Sequence, residues 1–385
     1  MMRWAYLLVL VGLCACSPSD TPSLSTAIPT TVLSSTPTPI IPEGARLLAQ
    51  GEQSEAPVVA WRDDATLVTW IGTDDQAVRH FAQWQLSGQW QPAQALSLLA
   101  NRPHAQQLVV TSDTITYLLW LDALPTYPEP QRVWYAPISE NYAINPGALP
   151  LSSIETAQFT ALAHADGGIW VVWCGGLLSE PTLYAQYIDR LGRPNVQARL
   201  LENAQHPVLL ADASGEQWLF WLTDNRLWRG KWDSGQISDP RPLTDSVRLA
   251  RGALLEQFVV GVAGTNAFAF WHISERDGSY RTFWAMGALT GENWSAPQAH
   301  SATWLTPNRL QGDMMFAVGV TTSTPYDLRI YQWTGNTWWA KHTGIIISSG
   351  LFRPPTWMRR SDTQAILAWS QPNGLSADLW LWGAD

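Results

Sequence analysis

At intervals near 50 residues a polar or aromatic side chain stands just ahead of a short apolar run: Glu55, Arg102 with His104, Gln158, His206, Arg251, Trp304 and Arg353. Guanidinium groups suit charge-assisted hydrogen bonds to carboxylates, and an indole suits stacking on a flat apolar face. Loops after another recurring run add Asp74, Asp122, Asp224, His272 and Glu275. Glycoside hydrolysis needs two carboxyl groups about 5–9 Å apart, and Asp122, Asp224 and Glu275 are the suppliers here. Other chemistries lack their residues. The seven histidines include no i, i+4 pair, no Cys/His cluster occurs, and neither Gly-x-Ser-x-Gly nor a glycine-rich phosphate loop is present. His272, Glu275 and Asp277 share one loop, which reads as a solvated hairpin tip. No cofactor and no metal are expected.

The elements that must position these residues repeat. A short strand ending in tryptophan recurs as Leu67–Trp70, Tyr117–Trp120, Trp170–Trp173, Trp218–Trp221, Phe268–Trp271 and Ile366–Trp369. One slot, Met315–Gly319, keeps the strand and loses the indole. A fixed period of this size marks a repeat array. In each unit an apolar strand comes first, such as Pro57–Trp61 or Pro207–Ala211, then a turn with Asp or Gly, then the marker strand. An alternating third strand and a less apolar fourth complete it. Four antiparallel strands per unit describe a β-propeller blade.

Seven markers predict an all-β, seven-bladed β-propeller over residues 44–385, with six blades as the alternative count. The last unit ends after Asp378–Trp382 and lacks its fourth strand. Ala45–Ala49 resembles the fourth strand Ala198–Leu201, so an N-terminal strand is expected to complete the C-terminal blade and remove two exposed sheet edges. In a propeller the first strand of each blade lines the axis. The residues named above then ring one mouth of the channel, the usual place for a ligand. Blades 2 and 4 share an Asn ahead of a His at that mouth, Asn101 with His104 and Asn203 with His206.

Composition narrows the partners. Trp reaches 24 of 385 residues, and the formal charge is −9 without a basic stripe. That argues against nucleic acid and against adsorption to anionic lipid. Arg3 and the apolar stretch Trp4–Leu13 read as a secretory leader, too short to span a bilayer. Leu13-Cys-Ala-Cys16-Ser17 resembles the bacterial lipobox, which implies a signal peptide over 1–15, lipidation of Cys16 and a membrane anchor. Residues 16–43 then form a lipid-anchored Ser/Thr/Pro-rich tether, reaching about 30 Å as a coil and up to about 80 Å when stiffened. Cys174 is left as a buried, inert thiol. The expected location is the cell envelope, outside the cytoplasm, and a monomer is expected.

The turns before strand four, Leu86-Ser-Gly-Gln-Trp90, Leu289-Thr-Gly-Glu-Asn-Trp294 and Trp333-Thr-Gly-Asn-Thr-Trp338, stand where sialidases carry the Asp-box. The chain therefore resembles a degenerate sialidase-like, BNR-type propeller, although the Asp is missing from all three. Phe352-Arg-Pro-Pro355 is the nearest match to the sialidase Phe/Tyr-Arg-Ile-Pro signature and lies in the last blade instead of ahead of the first. Three functions follow as expectations: a displayed module binding a glycan or protein ligand through Arg102, His104, His206, Arg251, Trp304, Arg353, Asp122, Asp224 and Glu275, without catalysis; a divergent sialidase-like glycoside hydrolase; or a structural scaffold of an envelope complex.

Overall fold

The computed structural model describes residues 41–383, leaving out short stretches of which the longer are 124–130, 139–155, 244–253, 308–313, 348–353 and 360–364. The leader, Cys16 and most of the tether lie outside the described residues, as do Glu55, Asn101, Arg251 and Arg353. No helix of the described residues is long and apolar enough to cross a membrane.

The described chain opens with β1 (Arg46–Glu52). Blade 1 follows with β2 (Val58–Arg62), β3 (Ala65–Asp74), β4 (Ala77–Leu86) and a divided fourth strand, β5 (Gln89–Trp90) and β6 (Gln94–Ala95). Blade 2 comprises β7 (Pro103–Val110), β8 (Thr116–Ala123) and β9 (Gln131–Ile138). Blade 3 has β10 (Thr156–Ala163), β11 (Ile169–Gly175), β12 (Thr182–Ile188) and β13 (Ala198–Glu202). Blade 4 has β14 (Ala204–Ala211), β15 (Gln217–Thr223), β16 (Arg226–Asp233) and β17 (Gln236–Pro242). Blade 5 has β18 (Leu254–Ala263), β19 (Asn266–Ser274), β20 (Tyr280–Ala288) and β21 (Gln298–His300). Blade 6 has β22 (Ala302–Pro307), β23 (Phe316–Thr321), β24 (Tyr326–Trp333) and β25 (Trp338–Ile347). Blade 7 is ordered β1-β28-β27-β26, with β26 (Thr356–Arg359), β27 (Ala365–Asn373) and β28 (Ser376–Gly383).

The closing strand falls where the sequence places it. β1 pairs antiparallel with β28, Arg46 opposite Leu381 and Glu52 opposite Ala377. One strand from the start of the chain thus completes the last sheet.

Burial explains why tryptophan keeps the period. The hydrophobic core is divided into seven clusters, each shared by two adjacent blades. Trp70, Trp120, Trp173, Trp221, Trp271 and Trp369 are all buried, and each packs toward the preceding blade. Each also stacks on an aromatic residue directly opposite it in the third strand: Phe81, Trp134, Tyr184, Trp228, Phe283 and Trp380. A stack of this kind adds about 0.5–1.5 kcal/mol beyond area burial, and it occurs in six of the seven blades. Blade 6 breaks the rule with Gly319 opposite Arg329.

The seven inner strands β2, β7, β10, β14, β18, β22 and β26 surround a central cavity of about 420 Å³. They run in one direction, so their leading ends form a front face and their trailing ends a back face. The front face also carries the turns joining second to third strands. β1 begins on the back face, since Arg46 lies beside Leu381 near the end of β28.

Candidate functional site

The front rim is built on β-bulges. In β7, β14 and β22 one extra residue interrupts the pairing, between His104 and Gln107, Gln205 and Val208, and Thr303 and Thr306. The first bulged residue is Ala105, His206 and Trp304 respectively, and all three have left-handed backbone, φ 49, 53 and 53°. For an L-residue that conformation costs about 1–2 kcal/mol, so the neighbours must hold it. β10 and β18 carry a one-residue shift at the same level without a left-handed residue. The bulge re-aims a side chain at the rim, which explains its use there.

The surroundings of each bulge differ. His206 donates its backbone N–H to Gln158 Oε1 at 3.0 Å, and its ring Nε2 lies 3.4 Å from Gln158 Nε2, tying blade 4 to blade 3. Burial lowers its pKa to about 4, leaving it neutral at pH 7. His104 Nδ1 lies 3.1 Å from the Arg102 carbonyl oxygen. Asp122 is buried and accepts the Arg102 backbone N–H at 2.6 Å, so its carboxylate fastens the loop leading into β7. Asp224 stands exposed in the tight turn between β15 and β16 with φ 52°. Of the predicted rim, Arg102, His104, His206, Trp304, Asp122, Asp224 and Glu275 fall on the front face of blades 2, 4, 5 and 6. Blade 5 touches both blade 4 and blade 6, so Glu275 stands between His206 and Asp224 on one side and Trp304 on the other.

Trp304 belongs to an aromatic group at the rim. Its ring lies 4.2 Å from His272 and 6.3 Å from Tyr280, while His272 and Tyr280 stack at 5.2 Å with planes 11° apart. His272 is 1% exposed and forms the floor; its ring nitrogens meet the hydroxyls of Thr282 at 2.9 Å and Thr303 at 3.1 Å. Burial lowers its pKa to about 4. Tyr280 is 43% exposed and Leu254 65%, and both pair laterally with Ser274, so an apolar surface is open to solvent beside the half-buried Trp304. Ser274 donates its hydroxyl to Glu256 at 2.5 Å, and Glu275 is ion-paired with Arg281.

The cluster lies over the broken repeat. A Cβ on Gly319 would stand 2.9 Å from Leu305 Cδ2, so Leu305 occupies the space that an indole takes in the other blades. The bulge carries Leu305 inward, to 1% exposure, and leaves its neighbour Trp304 on the rim. Blade 6 has moved its tryptophan from the core to the mouth.

No known protein family matches the sequence, and no curated protein matches it. Likeness appears only among solved structures, at the level of fold. A protein of unknown function from Dyadobacter fermentans is 9% identical, with a TM-score of 0.53 over 88% of this chain and 98% of that one. A polysaccharide lyase of family PL25, an ulvan lyase, is 9% identical with a TM-score of 0.57 over 88% and 96%. A sialidase from Trypanosoma rangeli is 10% identical with a TM-score of 0.44 over 86% of this chain and 54% of that one. The fold is a seven-bladed β-propeller with sialidase and polysaccharide lyase neighbours.

Sequence reasoning singled out Trp304 and His272 but missed Tyr280, Leu254 and Glu256. Tyr280 opens the third strand three residues ahead of the aromatic run Phe283–Trp284, as Tyr326 opens that of blade 6, but Tyr280 is the more exposed of the two. Its signal was exposure, which a repeat pattern does not carry. Cys174 is 5% exposed and its thiol lies 3.7 Å from the Ala204 carbonyl oxygen; burial raises its pKa to about 11, which suits an inert side chain. Among the described residues no group of three His, Cys, Asp or Glu side chains could hold a metal.

Proposed function

We propose that the chain is a lipid-anchored extracytoplasmic protein whose propeller holds a glycan or protein ligand at its front mouth and does no chemistry on it. The observation that carries this reading is Trp304: a bulky residue in left-handed backbone, beside the exposed ring of Tyr280, over the one blade that lacks its core indole. Strain of this kind persists where surrounding structure imposes it, and it clusters at ligand sites.

Two further features support a binding role. The three carboxylates from which a hydrolase would draw its two stand apart: Asp122 accepts the Arg102 N–H on blade 2, Glu275 pairs with Arg281 on blade 5, and Asp224 sits in a hairpin turn on blade 4. The second feature is directional. β1 begins on the back face, so the described chain enters the propeller on the side away from the mouth.

Two experiments test the reading. Fractionation should place the wild type with membranes and Cys16→Ser in the soluble fraction; a Cys16→Ser protein that stays anchored overturns the anchor. Binding screens against glycan arrays and envelope extracts should yield a ligand whose retention drops at least tenfold with Trp304→Ala. A ligand held equally well by Trp304→Ala removes the mouth from the proposal.

A further inference from the structure

Resting on the mouth as the binding site, we infer that the cleft between blades 5 and 6 takes a neutral pyranose-based glycan, stacked on Trp304 and Tyr280, and excludes acidic polysaccharides. The first part follows from shape. Trp304 and Tyr280 lie 6.3 Å apart with planes inclined at 46°, and His272 fills the space between and beneath them. An aromatic cage for a cation needs that space empty. What remains is a shallow platform of two half-open rings continued by Leu254, which suits the C–H face of a sugar ring.

The second part follows from charge. Among the described residues the charged side chains on the front of blade 5 are Glu256, Glu275, Arg276, Asp277 and Arg281, three acids and two guanidinium groups. Arg281 donates to Glu275, and on blade 6 Arg329 donates its Nε–H to Asp327 at 2.8 Å. A sugar carboxylate or sulfate would reach neither Arg281 nor Arg329 without displacing its acid, and would approach Glu256. A hydroxyl group faces neither obstacle: Glu256 already accepts one from Ser274, and a carboxylate has lone pairs for more. His272 stays neutral and adds no positive charge. The polysaccharide lyase that shares the fold was solved with a chain of GlcA and sulfated rhamnose, so this cleft departs in charge from that neighbour's ligand.

The test uses the whole mature chain, released from membranes, against immobilised mannan, β-glucan and galactan oligosaccharides, with polygalacturonate and alginate oligosaccharides as acidic counterparts. Expected is binding to at least one neutral glycan, at least tenfold weaker binding to each acidic one at low salt, and a gap that narrows as salt screens the repulsion. Trp304→Ala and Tyr280→Ala should each weaken the neutral glycan tenfold or more. Thermal melting of both variants separates this loss from misfolding, and Tyr280→Ala, at an exposed site, guards against failure of the first. Binding of an acidic glycan as tight as its neutral counterpart overturns the inference; if that binding still depends on Trp304, the mouth survives as the site. Neutral binding that both variants keep overturns the inference and the mouth together. Failure of every neutral glycan to bind overturns the glycan class and leaves a protein ligand for the mouth.

Discussion

The two faces of the propeller are made from the same strands and differ in how their inner strands begin and end. On the back face one hairpin design recurs: His164–Gly168, Asp189–Arg193 and Asp212–Glu216 each close with a backbone bond from the fourth residue to the first and another from the first to the fifth. Glycine takes the left-handed position in all three, and Asp189 and Asp212 accept backbone N–H groups within their own turns. These turns satisfy themselves, and so does Glu275–Ser279 on the front, which closes by the same two backbone bonds around left-handed Gly278. The front differs in its bulged strand entries: left-handed backbone falls there to Ala105, His206 and Trp304, and the His206 bulge is held by Gln158 of the neighbouring blade. The buried histidines His80 and His272 and the half-buried His206 and His300 gather toward that face as well. Turns are satisfied locally on both faces. The bulged strand entries of the front trade local comfort for side chains placed where they can reach a ligand.

Substitutions that respect or cross this division should separate the faces. The largest effect is expected at Gly383, with φ 88° and room for a Cβ only 2.1 Å from the Ala365 carbonyl oxygen. Gly383→Ala combines a left-handed penalty with a backbone clash and should cost about 3–5 kcal/mol in urea unfolding, with ligand affinity of the folded fraction unchanged. An affinity loss as large as the stability loss would show that the faces are not independent.

Acid comes next. Burial holds His80, His206, His272 and His300 at about 4 in the fold, against 6.5 for an ordinary histidine. As pH falls below 6.5 the unfolded chain takes up protons that the folded chain refuses. Stability should therefore be full above about pH 6.5, decline between 6.5 and 4, and change little further from this source below 4. Denaturation midpoints at pH 7.5, 5.5 and 4.5 check this. A flat profile over that range contradicts the burial of these rings.

Gln158→Ala removes the bond that secures the His206 bulge and should cost about 1–3 kcal/mol, measured by thermal or urea unfolding. The smallest change is at Ala105, which has the strained backbone of Trp304 without a side chain to offer. Ala105→Gly should raise stability by about 1 kcal/mol and leave binding intact. If Ala105→Gly weakens binding, the bulge geometry of blade 2 contributes to the site directly.

The architecture was legible because it is periodic. Trp120 and Trp173 mark equivalent positions, and a strand that is missing at Trp382 and spare at Arg46 has one economical solution. The site was legible only as an interruption of the period, at Gly319 and Trp304. Its geometry was not, because a bulge shifts register by one residue and leaves no compositional trace. Asn101 with His104 and Asn203 with His206 look equivalent in sequence, yet the pairing makes Ala105 the counterpart of His206. Asp122 looked like a rim acid for the same reason: nothing in its type tells that its carboxylate receives the Arg102 N–H.

The pairing of β1 with β28 also sets an order of events. A chain synthesised from its N-terminus makes β1 first and its partner last, with every other blade in between. Until β28 is available, Val59, Val68 and Trp70 have no blade 7 to pack against, and β1 has no neighbour to bond. Contacts this remote in sequence form late and slowly. Blades can assemble as they are made, but closure of the ring belongs to the finished chain, which makes premature locking of a partial propeller unavailable by construction.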